Sequence, residues 1–99
     1  QNILTGYQCG TVYKPIYLEA QAAAALALYL RAGATPPATL ANAVTKDTVL
    51  GKDIKSVYTT PVWVTVDNMA ATVVKDGAVK VPALCSGAVA AACTAAGIK

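Results

Sequence analysis

The stretch QCGTVYKPI, residues 8–16, sets one lysine, Lys14, between a β-rich run and a proline. An ammonium carries three N–H donors, and Tyr13 beside it offers aromatic surface. Donors placed on an aromatic-lined wall are what a small polar ligand such as a sugar needs. Most lysines are plain solvated charges, so position alone leaves both readings of Lys14 open. Catalysis has less support. Histidine is absent, so no Ser–His or Cys–His pair can form. The acids Glu19, Asp47, Asp53, Asp67 and Asp76 show no spacing that suggests a paired acid–base site. Gly51-Lys52-Asp53 lacks the rest of a phosphate-binding loop. The expectation is a protein that is not an enzyme and uses no cofactor.

Three cysteines without histidine supply too few ligands for a structural zinc site, so no metal is expected. Cys85 and Cys93 form a candidate disulfide, which would imply an oxidising compartment. A continuous helix between them would hold their Cα atoms about 12 Å apart, too far to bridge. A disulfide therefore requires a bend in SGAVAAA, and two buried free thiols are the alternative.

The chain has 99 residues, of which 56% are hydrophobic and 13% charged. Disorder needs the opposite balance. Alanine is abundant, and an alanine-rich core buries little area per residue. A self-sufficient domain of this size would be marginal, which points either to a chain that belongs to something larger or to a GC-rich genome that favours alanine codons. The net charge is +3, with basic residues scattered and one arginine, Arg31, so no nucleic-acid partner is expected. The opening residues lack the basic and apolar regions of a signal peptide. The longest apolar stretch, residues 22–30, is about half of a membrane span.

Several elements can be read around Lys14. YQCGTVY predicts a strand at residues 8–14, and Pro15 ends it. The stretch PIYLEAQAAAALALYLRAG should form a helix, with Gly33 as its C-cap. It is apolar nearly all round, so it should pack against a broad surface such as a sheet. ATPPATLANAV reads as a loop, and TKDTVLGKDIK as loop or weak hairpin. SVYTTPVWVTV predicts a strand at residues 56–66, with apolar residues on both faces. Pro61 in its middle marks an edge, a bulge or a passage out of one sheet. Asp67 or Asn68 should cap a short helix that ends at Gly77. The tail from Ala78 carries no clear signal.

GYQCGTVYKPI followed by the alanine-rich helix resembles the C-terminal part of the sugar-binding proteins of bacterial ABC transporters, specifically the D-xylose-binding group. DIKSVYTTPVWVTVDNMAATVVKDG resembles that group's last strand, with its TP step and DN cap. The resemblance covers residues 4–77 and does not extend to the tail. It implies an α/β fold: the C-terminal segment of a two-lobed periplasmic-binding-protein fold of type I, giving strands and helices to both Rossmann-like lobes. Residues 1–14 would be a strand of the C-terminal lobe. Residues 15–56 would be helix and loop of the N-terminal lobe, and residues 57–99 the returning crossing and the C-terminal-lobe tail.

The resemblance further implies that Lys14 hydrogen-bonds the sugar and that Tyr13, Pro15, Thr60 and Pro61 form hinge segments. The ligand would be xylose or a related monosaccharide, bound by hinge closure. The partners would be a membrane permease and the remainder of the two-lobe protein. The location would be extracytoplasmic, as a periplasmic protein or a cell-surface lipoprotein. A complete member would be about three times as long, as two lobes require. The alternative is a stand-alone structural or interaction module that oligomerises through exposed strand edges, with a homodimer mate covering the apolar helix.

Overall fold

Thr11–Tyr13 carries the β-branched and aromatic residues that favour a strand, and it forms β1. In this computed structural model, which describes residues 1–99, β1 pairs antiparallel with Val62–Val64. Thr11 lies opposite Val64, Val12 opposite Trp63 and Tyr13 opposite Val62. Side chains alternate across the ladder. Val64 is buried and Tyr13 and Val62 pack on the core, while Val12 and Trp63 face out.

The strand expected at residues 56–66 is corrected: it is two separate pieces. Pro61 has no N–H to donate, so the ladder stops at Val62 and residues 57–61 pair with no strand. The earlier piece ends a hairpin. Ala43–Asp47 forms β2, Lys52–Ser56 forms β3, and Val62–Val64 is therefore β4. β2 and β3 pair antiparallel from Ala43 with Ser56 to Asp47 with Lys52. The Asp47 carboxylate accepts hydrogen bonds from the amides of Val49 and Leu50, at 2.9 and 3.0 Å, and Gly51 takes the left-handed turn position at φ +65°. The strand expected at residues 8–14 shrinks to three residues because β4 offers only three partners.

The chain forms two compact units. One comprises Gln1–Tyr13 with Pro61–Lys99, and the other Lys14–Thr60. The first unit holds the hydrophobic core: Ile3, Val64, Met69, Val73, Leu84, Val89, Cys93 and Ile98. After β4 the chain makes a π-helical turn at Ala70–Val74. Its wide bonds run from Val74 N–H to Met69 O and from Lys75 N–H to Ala70 O. Asn68 does not cap this turn. Its side chain reaches back, accepting from Thr65 N–H and donating to Trp63 O, each at 2.8 Å. The tail that sequence left unassigned forms α2 at Val81–Leu84, a 3-10 turn at Gly87–Val89 and a further helix at Ala90–Ala95. Gly97 closes that last helix: Ile98 N–H reaches Cys93 O and Gly97 N–H reaches Thr94 O, which turns Ile98 into the core.

In the second unit, α1 spans Ile16–Arg31. Its end is a Schellman motif, with Ala34 N–H bonded to Tyr29 O, Gly33 N–H to Leu30 O, and Gly33 at φ +64°. None of its residues is buried. Leu28 and Leu30 are 70% and 72% exposed. The expected burial of this helix is therefore not met within the unit. Pro15 and Ala41 are the only buried residues between Lys14 and Thr60.

Candidate functional site

Lys14 is the first residue of the second unit, directly after β1. It is exposed, and no side-chain hydrogen bond within the chain engages its ammonium. Its donors are free to meet an acceptor from outside. Pro15 behind it is buried and fixes the start of α1, where Leu18 N–H bonds to Pro15 O at 2.9 Å. The strand end and the proline together pin the backbone on either side of Lys14.

The four residues predicted as hinges fall at the two places where the chain passes between units. Tyr13 belongs to the first unit and Lys14 and Pro15 to the second. Thr60 belongs to the second and Pro61 to the first. Tyr13 is the register partner of Val62, the residue after Pro61. Both passages therefore open from one end of a single ladder. Pro61 limits backbone freedom there and forbids further pairing.

Cys85 and Cys93 are joined by a disulfide, with Cα atoms 5.7 Å apart. The bend that it needs comes at residues 85–89, where α2 ends and Gly87 takes φ +60°. Cys93 is buried in the core, so the bridge fastens the tail within the first unit. Cys9 is free and exposed.

Sequence reasoning missed a hydrogen-bonded cluster in the second unit. Asn42 pairs with the backbone of Tyr58, donating to its carbonyl at 3.0 Å and accepting from its amide at 2.8 Å. Thr45 lies 2.7 Å from the Ser56 hydroxyl and 3.1 Å from that of Tyr58. Thr59 donates to Glu19 at 3.2 Å. A cleft of about 390 Å³ lies between α1, through Ala22, Ala23 and Leu26, and Val57 of the returning segment. These pairs are far apart in sequence and follow no period, so no pattern signals them.

This arrangement offers hydrogen-bond donors and apolar walls. It brings together no nucleophile with a base. No group of three or more His, Cys, Asp or Glu side chains is placed to hold a metal ion. No helix is long and apolar enough to cross a membrane. By class, the molecule is a mixed α/β chain built on two short two-stranded sheets.

Over 79 residues the chain is 42% identical to the D-xylose-binding periplasmic protein of Escherichia coli (strain K12). The match takes in 78% of this chain and 22% of that protein, so the chain spans under a quarter of its relative's length. No family model matches the chain, and no solved structure does.

Proposed function

We propose that this chain is the C-terminal segment of a sugar-binding protein that serves an ABC transporter, of the type I periplasmic-binding fold and the D-xylose-binding group. The observation that carries the reading is the 42% identity to a D-xylose-binding periplasmic protein across 78% of the chain. The ligand is xylose or a related monosaccharide. Lys14 donates hydrogen bonds to its hydroxyls, and the crossings at Tyr13–Pro15 and Thr60–Pro61 flex as the lobes close on it. The closed form is what a membrane permease recognises. The setting is extracytoplasmic, with the protein free in the periplasm or held at the cell surface as a lipoprotein.

Two structural facts support this. The unit boundaries coincide with the residues expected to be hinges. The second unit also lacks a core of its own, and α1 leaves large apolar side chains in water. A longer chain that covers α1 accounts for both. A homodimer mate would cover the same helix, which keeps the interaction-module reading as the competitor.

The test is calorimetric titration of the longer protein with D-xylose, before and after Lys14→Ala. Loss of a charged hydrogen bond costs about 1.5–3 kcal/mol, which is roughly a ten- to 150-fold weaker affinity. Equal affinity in parent and variant would remove Lys14 from the site. A longer protein that ignores D-xylose and related aldoses, while the 99-residue chain dimerises, would favour the module.

A further inference from the structure

Between the last residue of β3, Ser56, and the first of β4, Val62, the backbone has no strand partner. Five unpaired residues would make a slack tether, and a slack tether transmits little of a lobe's orientation. The Asn42 side chain removes most of that slack. Its carboxamide presents one acceptor and one donor to Tyr58, as a neighbouring strand would, at 2.8 and 3.0 Å. Asn42 is itself held from both sides. Leu40 and Ala41 N–H bond to Pro37 O, each at 2.9 Å, and β2 begins at Ala43. Residues on either side of Tyr58 are fastened too, Ser56 to Thr45 and Thr59 to Glu19. The ordered part of the second unit thus runs to Thr59, one residue before the chain leaves it.

We propose that Asn42 is a positioning residue that extends the ordered part of the second unit through Tyr58 and so confines the returning hinge to Thr60 and Pro61. The proposal rests on the two-lobe reading above. Its consequence is a narrow range of open orientations, so that less freedom is lost when sugar closes the lobes. Fixing the backbone of one further residue costs enough to weaken affinity by about five- to thirtyfold when that order must be supplied at binding.

The experiment uses the longer protein with Cys9→Ser and spin labels at positions 52 and 75, one in each unit, both exposed lysines in the parent. Pulsed dipolar spectroscopy without sugar reads the width of the distance distribution. Asn42→Ala is expected to broaden it at an unchanged melting temperature. Asn42→Asp, which keeps the acceptor and loses the donor, should fall between parent and Asn42→Ala. Equal widths for all three proteins would overturn the proposal, as would broadening that comes only with a lowered melting temperature. D-xylose titration of the same samples separates the two ideas. If the parent fails to bind sugar, the functional reading falls, while the sugar-free widths still decide the role of Asn42. If the parent binds and the variants broaden, Asn42→Ala should bind more weakly by the factor above.

Discussion

Gly10→Ala is a severe test of the packing between β1 and β4. Gly10 is buried just before β1. A Cβ at this position would stand 2.6 Å from the Val64 carbonyl oxygen and 2.7 Å from the Trp63 ring atoms Cε2 and Cζ2. The first distance is about 0.8 Å short of the 3.4 Å at which ordinary contact begins. The indole can swing away at little cost, because Trp63 is 56% exposed. The carbonyl cannot, because Val64 is both the partner of Thr11 and the most buried valine of the core. Relief needs a shift of β1 against β4 in a ladder only three pairs long. Overpacking of this kind costs about 1–3 kcal/mol, and the fixed backbone places this case near the top, about 2–3 kcal/mol. That lowers the melting temperature by roughly 10–20 °C for a chain of this size. The assay is thermal unfolding followed by the emission of Trp63, the only tryptophan, which packs on the mutated site. A melting point within about 2 °C of the parent would refute the reasoning.

Two further predictions concern the tail and the exposed helix. Replacing both Cys85 and Cys93 with alanine should destabilise the first unit by about 2–4 kcal/mol, because the bridge closes a short loop onto the core and Cys93 fills part of it; the same urea midpoint for parent and variant would contradict this. Leu28→Glu in the 99-residue chain should change stability by no more than about 0.5 kcal/mol, since Leu28 is in water. In the longer protein the same change should cost about 2 kcal/mol or more, because a carboxylate would then meet a covered apolar face. Similar small effects in both would mean that α1 stays uncovered.

Local chemistry was legible in the sequence where short-range rules apply. Pro15 and Gly33 bracket α1 because proline suits a helix entry and glycine suits the left-handed position after the last turn. Pro61 announced the interruption of the long β-rich run, although the strand ended beside it rather than passing through. Lys14 stood out through its place between a strand end and a proline, whereas the hinge roles of Tyr13, Pro15, Thr60 and Pro61 came only from the family resemblance. The same residues carried the resemblance that points to sugar binding.

The tertiary structure decided everything that depends on distant partners. The length of β1 was set by the three residues that β4 could offer, which no feature of residues 8–14 encodes. For residues 45–55 the sequence left loop and weak hairpin open, because polar residues lie on both faces; the structure takes the hairpin, extended back to Ala43, with the Asp47 turn between its strands. Asn68 looked like a helix cap, yet its amide found nearer partners at the end of β4. The Asn42–Tyr58 pair joins residues sixteen apart, a separation that folding alone brings into hydrogen-bond range. Periodicity reports which face of an element is apolar. What covers that face is settled by distant residues, and in α1 Leu28 and Leu30 remain exposed because nothing in its own unit packs over them.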